Sequence, residues 1–233
     1  MTERLYTEYP DLYDAIQAEW DYDRDVEFVR ELAAERGRDG GTLLEVGCGT
    51  GEHACRFDRA GFDVTAVDKH EAMLDRAREK CQVEFRQDTL PALAVEGKFD
   101  VVVAIRGVIN HLAPSALEPA IAALTERVEP GGLLVFDNSP LPPEGNELAL
   151  DVGTTETGRY VRLARHVPAG DGTLEWQSLT FTPDGDPIEN TRAMTPFEDE
   201  RIVAALERNG SRVTRRDGYG NGDDRTVFVA SRR

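Results

Sequence analysis

Leu43-Leu44-Glu45-Val46-Gly47-Cys48-Gly49-Thr50-Gly51 decides how the rest of the chain is read. A short apolar run ends in an acid, and three glycines follow at alternate positions. The run predicts a buried strand over Thr42 to Val46. The glycines predict a turn too tight for side chains, where backbone closely approaches a ligand. Glu52 to Ala60 has a helical pattern, so this turn would present unpaired helix N–H groups to that ligand. A dinucleotide turn favours Gly-x-Gly-x-x-Gly, whereas the spacing here is Gly-x-Gly-x-Gly with an acid two residues ahead.

Downstream, the pattern alternates strand and helix. Gly61 closes the helix, Asp63 to Val67 predicts a second strand, and Asp68 sits at its end, 23 residues after Glu45. An acid there can accept both ribose hydroxyls of a nucleotide. Glu71 to Lys80 predicts a helix with Met73 inward, and Gln82 to Arg86 a short strand ending at Asp88-Thr89. Phe99 to Ile105 is an unbroken apolar run suited to the centre of a parallel sheet. It exits into Arg106-Gly107-Val108-Ile109-Asn110-His111. Ser115 with Glu118 predicts a capping box. Glu129-Pro130-Gly131-Gly132 predicts a turn into a strand over Leu133 to Phe136.

After Pro140-Leu141-Pro142-Pro143 the pattern changes. Three alternating segments, Tyr160 to Val167, Leu174 to Phe181 and Ile188 to Met194, predict a three-stranded antiparallel patch. Thr195-Pro196-Phe197-Glu198 predicts a capped helix start running to Asn209. Arg212 to Arg216 and Thr226 to Ala230 form a closing strand pair. Upstream, Tyr6, Tyr9, Tyr13 and Trp20 with Leu12 and Ile16, then a helix from about Asp23 to Arg36, make a helical preface.

Length and composition set the bounds. The 233 residues suit one α/β domain with an insertion. No apolar run is long enough to span a bilayer, and the first residues carry no signal-peptide pattern. Three cysteines without zinc spacing predict a reducing, cytoplasmic setting with no disulfide and no metal site. Forty-four acids oppose 27 bases for a net charge of −17, and only three of those bases are lysines, leaving 24 arginines. Such a surface fits a salt-filled cytoplasm, as in a halophile, or else the codon bias of a GC-rich genome. A uniformly acidic chain is a poor polyanion binder, which makes nucleic acid an unlikely partner.

The glycine turn, the acids at successive strand ends and the helical preface resemble the class I S-adenosylmethionine (AdoMet) methyltransferases. Within them, Leu12-Tyr13-Asp14, the β-patch and Asp217-Gly218-Tyr219-Gly220 look like the small-molecule enzymes, nearest the amino-sugar N-methyltransferases and glycine/sarcosine-type relatives. The resemblance implies a Rossmann-like, seven-stranded, mostly parallel α/β sheet. Residues 42–145 and 196–233 would form its core, 1–41 a helical lid, and 146–195 an antiparallel insertion that roofs the acceptor site or contacts a homodimer partner. It implies AdoMet as cofactor and S-adenosylhomocysteine as product. Cofactor-binding residues would be Tyr13 (toward the methionine carboxylate), Glu45, Gly47, Cys48, Gly49, Gly51, Asp68, Lys69, Met73, Asp88 (toward the adenine amino group), Thr89, Ile105 and Arg106.

Catalysis would fall to His111, just past the fourth strand and, with an ordinary pKa of about 6.5, a suitable general base. Tyr13 is the second catalytic candidate. His53 is expected at solvent or the ligand edge, His70 at solvent, and His166 and Trp176 in structural roles. Nothing marks Cys48 as a nucleophile. The expected reaction is in-line methyl transfer to a nitrogen or oxygen of a small acceptor, where placement and exclusion of water supply the rate. The alternatives are a tRNA or rRNA methyltransferase, a non-catalytic AdoMet-binding protein, and a nicotinamide-dependent dehydrogenase.

Overall fold

The computed structural model describes residues 1–183 and 185–232. Strands β1 (Thr42–Val46), β2 (Asp63–Asp68), β3 (Glu84–Gln87), β4 (Phe99–Ala104), β5 (Val128–Asn138), β10 (Ser211–Asp217) and β11 (Thr226–Arg232) form one sheet in the order β10-β11-β5-β4-β1-β2-β3. The pairs among β1 to β5 are parallel, and β11 runs antiparallel between β5 and β10. This is the mostly parallel, seven-stranded Rossmann-like sheet that the sequence implied.

Both faces are covered, which is why the central strands read as continuous apolar runs. Alternate residues go to opposite sides. Leu44, Val102, Leu134 and Phe228 pack against helices α6 (Leu117–Glu126) and α7 (Asp199–Arg208). Leu43, Val101, Val103 and Val229 pack against α3 (Tyr22–Ala34) and α4 (Glu52–Arg59), with Leu74 from α5 (Glu71–Lys80). Two short helices, α1 (Arg4–Thr7) and α2 (Pro10–Gln17), precede α3. A second sheet, in the order β6-β7-β8-β9, holds β6 (Ala149–Thr155), β7 (Gly158–Pro168), β8 (Leu174–Phe181) and β9 (Ile188–Met194), all antiparallel.

The structure differs from the sequence reading at four places. The insertion has four strands, because β6 was hidden by its low-propensity ends and by Gly153. That glycine lies under the Tyr160 ring, where a Cβ would come within 2.4 Å of a ring carbon. Glu129 to Gly132 is a register shift inside a longer β5 rather than a turn ahead of it. Neither capping box forms. Ser115 lies in a 3₁₀ turn, Pro114–Ala116, and Thr195 Oγ1 instead donates to the Leu112 carbonyl at 2.6 Å.

The expectation of no disulfide is also overturned. Cys55 of α4 and Cys81, just past α5, are bonded, with Cα atoms 5.6 Å apart. Their 26-residue separation spans the β2 crossover, and sequence spacing cannot reveal that α4 and α5 lie side by side. Cys48 is the one free cysteine, and it is buried.

Glu45 lies below the first turn of α4 and is only 2% exposed. Desolvation, reinforced by the charge of Asp68, pushes its pKa up to about 8 against a single opposing N–H from Ala54. The folded chain therefore holds a proton there that the unfolded chain releases above about pH 4.5. Stability should fall as pH rises from about 4.5 to 8 and level off above, a loss of about 2–4 kcal/mol from this group. Thermal melts of wild type and Glu45→Gln across that range test the assignment. The variant should lose most of the slope, and an unchanged slope would refute it.

Candidate functional site

One cavity opens at the carboxyl ends of β1, β2 and β4, where ligands of open α/β sheets bind. Its floor is the glycine turn. The N–H groups of Gly47 and Cys48 donate to the Val67 carbonyl at 2.8 and 3.0 Å, tying the turn to β2. Gly47 has a φ of +74°, and a Cβ there would strike Val108 at 2.7 Å. Gly51, also left-handed, begins α4 and has no side chain with which to cap it, while Glu45 takes the Ala54 N–H from below. The N–H groups of Glu52 and His53 are left for an anionic or polar ligand.

Asp68 joins two turns. Its carboxylate accepts from the N–H groups of Gly49 and His70, both at 2.9 Å. Burial raises its pKa while these hydrogen bonds oppose the shift. Asp137, at the end of β5, does the same for the next turn. It accepts from the N–H groups of Arg106 and Gly107 at 2.5 and 2.7 Å and from the Tyr219 hydroxyl at 2.7 Å. Those bonds hold Arg106 at a φ of +67°, a strained value for a side-chain-bearing residue.

The strain aims the Arg106 side chain into the cavity wall. Its guanidinium lies 4.8 Å from the Trp20 ring centroid and pairs with Asp25 at 2.6 Å. Asp25 is fully buried on α3 and also receives His53 Nε2 at 3.1 Å and Arg24 at 3.2 Å. Burial lowers the His53 pKa, so the ring is neutral at pH 7 and donates to Asp25 from Nε2. From the lid side, the Thr50 hydroxyl donates to Asp14, whose other oxygen meets Lys80 at 2.7 Å and Arg76 at 3.2 Å. Tyr13 and Tyr22 complete the aromatic side, and burial raises both phenol pKa values.

Of the residues expected to bind cofactor or act in catalysis, all but Glu45 and Gly51 stand on the cavity wall. Glu45 faces away, under α4. Gly51 serves packing: a Cβ there would lie 2.8 Å from that of Ala77. Asp88 is on the wall, but its carboxylate already accepts from the N–H groups of Thr89, Ala94 and Val95, which shapes the loop after β3. His111 is present, yet burial drives its pKa down to about 4, away from the value a general base needs. His70 is on the wall instead of in solvent, and His53, though buried, lines the cavity, the ligand-edge one of its two expected places. His166 and Trp176 lie off the wall. Asp25, Trp20, Tyr22 and Asp137 were missed. An acid inside the charged run Asp23-Arg24-Asp25 gives no signal of which carboxylate turns inward.

Residues 43–132 match the methyltransferase domain family. A Geobacillus sp. (strain WCH70) protein named as a methyltransferase is 36% identical over 132 residues, about half the length of each chain (54% and 53%). The dTDP-3-amino-3,4,6-trideoxy-alpha-D-glucopyranose N,N-dimethyltransferase of Streptomyces venezuelae is 26% identical over 216 residues, 90% of each. Among solved structures, the sugar N-methyltransferase KedS8 of Streptoalloteichus sp. superposes with a TM-score of 0.82 at 28% identity, covering 97% of this chain and 94% of that one. With glycine turn, strand-end acids and sheet order all in agreement, the chain belongs to the class I S-adenosylmethionine-dependent methyltransferases.

Proposed function

We propose that the protein transfers a methyl group from AdoMet to an amino nitrogen of a small polar acceptor, with an amino sugar as the model. The observation that carries this reading is the cavity itself. Its floor offers Asp68 and an uncapped helix, its walls are aromatic, and the tyrosine-rich preface folds over it. Nitrogen is favoured over oxygen because two of the relatives that span nearly the whole chain are named as an N,N-dimethyltransferase and a sugar N-methyltransferase. A ubiquinone biosynthesis O-methyltransferase of Roseobacter denitrificans, 32% identical, is spanned only to 61%. A cytoplasmic setting is kept on the need for AdoMet alone, since the Cys55–Cys81 bond removes the cysteine argument for it.

The residues present fit the cofactor. Asp68 keeps carboxylate capacity for ribose hydroxyls beyond its two backbone bonds. Arg106, stacked on Trp20, is the cation placed for a carboxylate. The rings of Tyr13, Trp20 and Tyr22 line the wall and exclude water. AdoMet, when bound, supplies an electrophilic methyl group on a sulfonium.

His111 at a pKa of about 4 is neutral at pH 7. It can accept a hydrogen bond from an acceptor N–H and orient the lone pair. Taking a full proton from an ammonium group of pKa about 8 would cost about 5 kcal/mol, so it does not act as the base. The acceptor must arrive unprotonated, and the pH dependence belongs to the amine.

A homodimer is part of this reading. Five of the six large apolar side chains exposed among the described residues lie on or beside the second sheet, including Leu150 at 63% and Phe181 at 42%. Leu150, Val152, Val161, Leu163, Leu179 and Phe181 share its outer face through the paired registers. A twofold-related copy laid on this face would cover these side chains in both subunits at once.

Asp68→Ala should weaken AdoMet binding by about 1–3 kcal/mol, read by calorimetry, and unchanged affinity would refute the ribose assignment. His111→Gln should lower kcat about tenfold at every pH from 6 to 9, leaving the profile's shape intact. An ionisation near pH 6–7 that vanishes in the variant would instead restore His111 as a base. Sedimentation should show a dimer that Val161→Glu dissociates, whereas a monomeric wild type at micromolar concentration would sink the interface.

A further inference from the structure

Glu3 and Arg192 both sit in ways that the methyl-donor cavity leaves unexplained. Glu3 has a φ of +37°, which a side-chain-bearing residue keeps only when its surroundings hold it there. Its N–H donates to the Thr191 carbonyl of β9 at 3.2 Å, pinning the strap ahead of α1. Its carboxylate accepts from Lys69 Nζ at 3.1 Å on both oxygens, and His70 Nε2 lies 3.4 Å away. The strain therefore delivers a carboxylate to two residues of the cavity wall.

Arg192 projects from the inner face of β9 against Tyr6, whose ring also packs on His70. Its guanidinium lies 4.4 Å from the Trp176 ring centroid and 5.4 Å from that of Tyr6. Tyr6 in turn stacks on His70 at 5.3 Å and meets the His111 ring edge-on at 6.1 Å. A chain of contacts thus runs from Trp176 through Arg192 and Tyr6 to His70, ending beside Glu3. Arg192 Nε is buried without a hydrogen-bond partner. Burial pulls the Arg192 pKa down to about 10, and Glu3 is the carboxylate that opposes the shift.

The face around it is polar and under-satisfied. Ser178 Oγ and Asn190 Nδ2, on directly opposed residues of β8 and β9, are also buried without partners. Buried polar groups are ordinarily paired, so a cluster of orphans beside an unpaired guanidinium points to a ligand with oxygen acceptors.

We propose that Lys69, His70 and Arg192 form a subsite for an oxyanion, phosphoryl or carboxylate, carried by the methyl acceptor, and that Glu3 fills it as an internal counter-ion which the acceptor displaces. The subsite rests on the methyltransferase reading only for its role. An oxyanion held at Arg192 places the rest of the acceptor along Tyr6, toward His111. Displacement frees the Glu3 carboxylate from Lys69, while the hydrogen bonds of Thr2, Glu3 and Leu5 to β9 keep the strap in place.

Calorimetry on the S-adenosylhomocysteine-loaded protein tests this without knowledge of the acceptor, using inorganic pyrophosphate and malonate as probes. Glu3→Gln should bind the preferred probe about fivefold tighter or more, because the competing charge is gone. Arg192→Met should bind it about tenfold more weakly, with Arg192→Lys intermediate. Pyrophosphate as the preferred probe names a phosphoryl acceptor, and malonate a carboxylate. The proposal is overturned if neither probe binds, if Glu3→Gln binds no tighter than wild type, or if Arg192→Met binds equally well. S-adenosylhomocysteine affinity, measured on the same samples, is a separate readout of the cofactor assignment.

Discussion

Two backbone N–H groups from neighbouring turns end on one buried carboxylate, that of Asp68, and the ligand-binding edge depends on it. A charge so enclosed is costly, and the two bonds offset part of the cost while fixing the β1–α4 and β2–α5 turns relative to each other. Asp137 repeats the device at the end of β5, three strands along the sheet, locking the turn that carries Arg106. In both places a strand ends in an acid that organises a turn before it meets any ligand. This explains how a glycine-rich, uncapped edge can be rigid enough for in-line chemistry.

Such an arrangement is half legible in sequence. The parallel core is plain because strands covered on both faces are apolar throughout, and because glycines at alternate positions serve few purposes besides a tight turn. Asp68 is plain because one βαβ unit fixes its distance from Glu45. Asp25 is not, since its helix also carries Asp23, Glu27 and Glu31, and tertiary packing alone selects the one that turns inward. The histidines fail for a related reason. Residue type gives a pKa near 6.5, but enclosure beside Lys69 and under Tyr6 moves His111 to about 4. The two capping boxes had the right spacing, yet tertiary partners claimed Thr195, and a 3₁₀ turn absorbed Ser115.

Charge is distributed with the same logic. On the surface, arginines pair with acids three or four residues away, as Arg30 with Glu27 and Arg76 with Glu79, each worth little alone. Between elements they act as struts: Arg201 of α7 meets both oxygens of Glu118 on α6 at 2.9 and 2.8 Å. At the cavity the balance changes. Carboxylates from the N-terminal helices, Asp25 and Asp14, hold cations at the rim, so the acidic preface is bound to the sheet electrostatically as well as by apolar contact.

The position of β11 has a consequence for how the chain is assembled. Residues Thr226 to Arg232 pair on one side with β5 and on the other with β10. During synthesis the core must wait with its β5 edge unpaired until this late segment leaves the ribosome. Closure of the fold therefore waits for residues 226–232, and a nascent chain stalled before residue 226 would leave the edge of β5 along Leu133 to Phe136 unpaired, open to chaperones or to aggregation.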